Sequence, residues 1–167
     1  MIAAAPDLPF VLDVWAAMAA SPVTLDAYLA LRQAIEGAAT LDARVRSAVA
    51  LAAGDGIDAR YSPAINGRIA ARAGWSPDEI EAIRRGDSPD ARLAALLALA
   101  REAAANVGRV SDSTWGAAVA SGWTERDLAE AFVMVALVMF VDGFARFAGV
   151  ELDAAFRSLP GAAADAA

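Results

Sequence analysis

The chain has 167 residues, 58% of them hydrophobic, and a formal net charge of −7. That length fits one domain burying about 70% of its unfolded surface, and the acidic balance argues against nucleic-acid binding, which calls for a basic face. Cysteine, histidine and lysine are all absent and the 14 basic residues are all arginine, which rules out thiol nucleophiles, disulfides, imidazole bases, lysine Schiff bases and the usual structural zinc sites.

From the amino terminus, "MIAAAPDLPF" lacks a basic flank leading into a long apolar run, so no secretory signal is expected and cytoplasmic location is the default. A first helix is predicted near 7 to 19. Ser-Pro then occurs at 21–22, 62–63, 76–77 and 88–89. A serine hydroxyl can accept a first-turn amide, and the proline after it has no amide to waste and a φ preset for helix. Each pair therefore predicts an N-cap followed by a first helical residue. Helices follow near 22 to 36, 41 to 53, 62 to 73, 77 to 85 and 90 to 106. Leu41, Val45, Val49 and Ala52, and later Leu93, Leu96, Leu97 and Ala100, repeat at helical spacing.

The clearest helix start is "GWSPDEI", 74 to 80: Ser76 caps, Glu79 closes a capping box, and Trp75 staples onto Ile80. The device returns 48 positions on as "GWTERDL", with Thr124, Asp127, and Trp123 facing Leu128. Gly74 and Gly122 are each placed to end a helix in the left-handed region. Two copies make a repeated helix-turn-helix joint, not a solenoid. The last helices are predicted near 112 to 121 and 125 to 148. Within the latter, "AFVMVALVMFV" runs for 11 apolar residues, short of the ~20 that span a bilayer. It reads as a buried or subunit-facing helix, with no membrane partner. Asp142 is predicted to pair with Arg146 four residues on, and Gly143 to mark close helix contact or a bend. Residues 160 to 167, "PGAAADAA", read as a flexible tail after a single domain over 1 to 159.

The ordered series "SPVTLDAYLALRQAIEGAATLDARVRSAVALAAG", "NGRIAARAGWSPDEIEAIRRG", "DARLAALLALA" and "GRVSDSTWGAAVASGWTERDLAEAFVMVALVMFVDGFARFAGVELD" resembles the carboxymuconolactone decarboxylase and alkylhydroperoxidase D-like superfamily over residues 8 to 156. The resemblance implies an all-α fold of about eight helices with a helix-hairpin core, assembled as a homo-oligomer, trimer or hexamer. It also implies a Cys-x-x-Cys opening the second hairpin helix and a histidine one turn on. Those positions fall here on Ala59, Ser62 and Asn66, with Tyr61 between the cysteine positions. A relay acid falls at Ser47, beside Arg46. Every redox-active side chain is missing, and Pro63 would sit inside a helix that began at 59, so the helix is expected to restart three residues later.

Two functions stay open on these grounds, and no metal or cofactor is expected in either. In the first, the protein is redox-silent, an oligomeric module for binding a small molecule or for assembly, with a pocket lined by Ser62, Asn66, Ser47 and Arg46 beside Tyr61. In the second, it is a non-thiol enzyme of the lactone-decarboxylase or isomerase kind. Asp58 would then serve as base and Arg60 as clamp for a substrate carboxylate, with Tyr61, Ser62 and Asn66 to position or protonate the substrate. The plainer roles are a turn for Asp58, a cap for Ser62, packing for Tyr61 and a solvated Arg60. Co-assembly with a thiol-bearing relative is a further possibility.

Overall fold

A computed structural model describes residues 11–157, so the outer part of the first predicted helix and the predicted tail lie outside the described residues. Within them the chain is helical, without strands. Its elements are α1 (Asp13–Met18), α2 (Pro22–Ala38), α3 (Ala43–Gly56), α4 (Tyr61–Arg72), α5 (Pro77–Arg85), α6 (Ala91–Ala105), α7 (Asp112–Ala120), α8 (Glu125–Phe147) and α9 (Ala154–Arg157). Eight match the predicted series; the single turn α9 was not foreseen.

Helix α3 is the axis of the domain and packs against α4, α5, α6 and α8. Residues 47 to 54 are buried without a break, as expected of a helix that is apolar all round. Small side chains make this possible: the run Ala48, Ala50, Ala52, Ala53 and Gly54 lets neighbouring helices approach. One core cluster joins α3, α6 and α8 around Val49, Leu96 and Val135. A second gathers Trp15, Tyr28, Tyr61 and Phe156 near the C-terminal half of α8. A third seats Ile83 of α5 between Leu51 and Leu97.

The internal echo is larger than its sequence signature. Asp42 caps α3 and Asp90 caps α6, again 48 positions apart. Gly74 and Gly122 both turn with left-handed φ, +92° and +89°. After each, a tryptophan docks onto an arginine 31 residues earlier. Trp75 Nε1 donates to the Arg44 carbonyl at 3.1 Å, and Trp123 Nε1 to the Arg92 carbonyl at 2.7 Å. The same two guanidinium groups lie 3.8 and 4.1 Å from the ring centroids. Both predicted capping boxes are formed. The helical triplets α3–α4–α5 and α6–α7–α8 thus share one joint, differing mainly in the length of their third helix.

The Ser-Pro rule needs correction. At 76–77 it holds, with Ser76 accepting from Glu79. Ser21 stands at the α2 N-cap, but its hydroxyl makes no capping bond. Ser88 lies before the helix, bonding the Asp90 amide in a turn, while Asp90 itself caps α6. Ser62 is inside α4, whose N-cap position is Arg60. Pro63 costs nothing there, because the first amides of a helix have no intrahelical partner. The helix accordingly restarts earlier than predicted, at Tyr61.

Candidate functional site

The predicted reactive stretch enters α4 directly beneath α8. Gly54 of α3 brings the hairpin together: a Cβ there would lie 3.3 Å from the Pro63 ring. Opposite stands Asp142, buried in α8. Its Oδ1 accepts the amides of Arg60 at 2.9 Å and Tyr61 at 2.8 Å; its Oδ2 accepts the Ser62 amide at 3.1 Å and the Ser62 hydroxyl. A carboxylate on three first-turn amides is well matched to a helix N-terminus, where partial positive charge accumulates. Burial pushes the Asp142 carboxyl above its ordinary range, and the bonds from Ser62, Tyr61 and Arg60 pull against that rise.

Asp142 therefore does not pair with Arg146 as predicted. It faces inward, while Arg146 is exposed and donates to the Ile57 carbonyl at 3.0 Å. The signal was present, since an aspartate amid Phe140, Val141 and Phe144 must meet donors somewhere. Which donors they are depends on α4, some 80 residues earlier.

A second carboxylate works the same way. Asp153, buried in the segment after α8, accepts the Asp13 amide at 3.2 Å and so caps α1. Tyr61 lies between the two devices, 1% exposed, its hydroxyl donating to the Glu151 carbonyl at 2.5 Å. Burial, reinforced by Asp153 and more weakly by Asp13, raises the phenol well above its usual pKa.

The other candidates are spread out. Asp58 is exposed in the α3–α4 connection with φ +48°, a left-handed conformation aspartate tolerates better than most residues. Arg60 lends its amide to Asp142 while its side chain faces outward. Asn66 is half-buried one turn into α4. Ser47 and Arg46 belong to the start of α3, roughly 10 Å of helix away from Gly54. Ser47 bonds the Arg44 carbonyl and Trp75 Nε1, and Arg46 bonds the Leu41 carbonyl. The structure thus brings the amides of Arg60, Tyr61 and Ser62 and the Ser62 hydroxyl together on Asp142, and leaves the side chains of Asp58, Arg60, Ser47 and Arg46 apart from it.

Two surface depressions of about 390 Å³ each lie elsewhere. One is apolar, between α7 and α8 at Trp115, Leu128 and Phe132. The other is at Gly56, Gly86 and Arg101, where Arg101 bonds Asp55 and the Arg84 carbonyl. Among the described residues no group of three or more acidic side chains is arranged to hold a metal ion.

No protein-family model matches the chain, and no curated protein matches it in sequence. Solved structures do match in shape. A variant of the debrominase Bmp8 in complex with 2,3,4-tribromopyrrole superposes with a TM-score of 0.79 at 17% identity, over 91% of this chain and 82% of that one. A peroxidase-related protein from Silicibacter sp. TM1040 gives 0.77 at 17% identity, over 92% and 82%. An alkylhydroperoxidase AhpD core protein from Ralstonia eutropha JMP134 gives 0.75 at 18% identity, over 90% and 82%. With its helical hairpin core, the chain is a cysteine-free protein of alkylhydroperoxidase D-like fold.

Proposed function

We propose that the protein is a redox-silent version of this fold, an oligomeric cytoplasmic module that binds a small molecule or serves assembly. The observation carrying this reading is the seat of Asp142. A helix N-terminus activates a thiol by lending its amides to the thiolate. Here the amides of 60, 61 and 62 already serve an internal carboxylate, and the Ser62 side chain joins them. The helix start that would power a cysteine is used to fasten α4 to α8. Peroxide reduction through a protein disulfide also needs two sulfurs that methionine cannot supply.

The test combines activity and binding. Purified protein is expected to consume no hydroperoxide at the expense of a dithiol, and to run as an oligomer in native mass measurement. Tryptophan fluorescence then follows titration with small carboxylated lactones and with 2,3,4-tribromopyrrole, the compound held by the Bmp8 variant. Dithiol-dependent turnover would sink the reading. A monomer that binds none of these compounds would remove both halves of the module.

A second reading, acid–base chemistry on a small carboxylated compound, draws on Asp58. A left-handed non-glycine residue is the sort of backbone that functional loops hold. Asp58→Asn and Arg60→Met should then abolish turnover of a lactone substrate with the fold unchanged; full activity in both removes those roles.

A further inference from the structure

Helix α8 is buried along one side only. It is long and apolar enough to cross a bilayer, with mean hydropathy 2.0, yet 44% of that stretch is buried within the protein. The outer side has an order of its own. Ala129, Ala136 and Gly143 recur at every seventh residue, exposed or half-buried, which aligns them along one line of the helix. Phe132, Phe140 and Phe147 flank that line; Phe132 is 46% and Phe147 88% exposed. Gly143 is unexplained inside the chain. Glycine is costly in a helix interior, yet a Cβ at Gly143 would meet nothing within 4 Å.

The two ends of this stripe complement each other. At the N-terminal end, Leu128, Ala129 and Phe132 form with Trp115 and Val110 the apolar depression of about 390 Å³, with Glu125 in its lining. At the C-terminal end stands Phe147, the most exposed large apolar side chain among the described residues, next to Arg146. From the α8 residues that form the hole, Leu128 to Phe132, to the knob at Phe147 runs about 22–29 Å of helix.

We propose that α8 pairs with α8 of a second copy of this chain, antiparallel about a two-fold axis at Ala136, so that Phe147 of each copy fills the depression of the other. The proposal rests on the assembly reading above and adds the surface and its symmetry. With Ala136 on the axis, Ala129 faces Gly143 of the second copy and Phe132 faces Phe140. Small residues meet small ones, so the backbones approach closely, and the aromatic rings pack on either side. Glu125, at the positive end of one helix dipole, comes beside Arg146 at the negative end of the other. A parallel pairing sets Glu125 against Glu125 and leaves both depressions empty. A hexamer of three such pairs satisfies the contact and a bare trimer does not.

The absence of cysteine makes the test direct. Ala136→Cys sets two thiols against each other across the axis, within the Cα separation a disulfide needs, so mild oxidation should link two chains. Gly143→Cys alone should not link, and should do so only when combined with Ala129→Cys. In sedimentation velocity, Phe147→Glu should halve the mass of the assembly. Val23→Glu, at an apolar site 79% exposed on α2, should leave it unchanged, with circular dichroism showing both variants folded. Unlinked Ala136→Cys, self-linking Gly143→Cys, or a mass indifferent to Phe147→Glu overturns the pairing while a wild-type oligomer keeps the assembly reading. A wild-type monomer overturns both. A monomer that co-sediments with phosphatidylglycerol vesicles gives the stripe to lipid instead.

Discussion

Replacing Asp142 removes a single side chain and strands four donors at once. The carboxylate is 3% exposed and holds the amides of Arg60, Tyr61 and Ser62 with the Ser62 hydroxyl. Losing a helix cap costs about 0.5–2 kcal/mol, and each buried donor left without an acceptor adds about 1–3 kcal/mol. Fraying of the first α4 turn relieves part of that sum, so Asp142→Ala should cost about 3–5 kcal/mol, against a total stability of about 5–15 kcal/mol. At roughly 2–4 °C per kcal/mol for a chain of this size, Tm falls by on the order of 10 °C. Asp142→Asn keeps one acceptor for Arg60 and Tyr61 but turns an NH2 group toward Ser62, and should cost about 2 kcal/mol.

Urea unfolding followed by tryptophan fluorescence, at fixed protomer concentration because assembly adds to stability, measures both variants. Hydrogen exchange at amides 60 to 62 locates the loss. The pH dependence has a defined sign. Burial raises the folded-state pKa of Asp142, so its contribution is full below the unfolded value and declines as pH rises through the folded one. The Asp142→Asn variant should lack that decline. A loss under about 1 kcal/mol for Asp142→Ala, with undiminished protection at 60 to 62, would refute the capping argument.

Glu130 should show the opposite slope. Bonds from the Leu41 amide and from Thr40 hold its carboxyl at about 2, so its stability is present above the unfolded value near 4.5 and lost as pH falls through 2. Glu130→Gln should cost about 1 kcal/mol at neutral pH and flatten acid unfolding between pH 5 and 2; an unchanged acid midpoint would count against it. Gly86→Ala should cost more than Gly74→Ala. Both turn left-handed, at +85° and +92°, but a Cβ at Gly86 would lie 2.6 Å from Arg101 Cδ, whereas Gly74 faces open space. We expect about 1 kcal/mol at 74 and about 3 kcal/mol at 86 by thermal melts; equal losses would mean Arg101 moves aside freely. Trp123→Phe should cost about 2 kcal/mol and Trp75→Phe about 1 kcal/mol, since Trp123 is 7% exposed with the shorter indole bond, while Trp75 is only half-buried. The reverse order, read by circular dichroism, would contradict the packing of the two joints.

Helix starts were legible where the capping groups are neighbours in sequence. Ser76 with Glu79 and Thr124 with Asp127 close their boxes within one turn, so the pattern contains every atom the bond needs. Ser62 misled for the complementary reason. Ser-Pro is a local signal, and the partner that outcompeted it, Asp142, arrives from α8. The pairing of Asp142 with Arg146 failed likewise, because helical spacing places two residues on a surface without saying which way that surface faces.

Composition and periodicity alone determined that this chain is all-α, that its core is alanine-lined and close-packed, and that no thiol or imidazole reaction can occur on it. Those conclusions depend on which atoms exist and on contacts within a turn or two. The docking of each Gly-Trp joint on an arginine 31 residues back, the fastening of α4 by Asp142, and the stripe left uncovered on α8 were decided only in three dimensions. Each joins groups far apart along the chain, and a buried charge or an indole N–H takes whatever partner the packing of whole helices brings within reach.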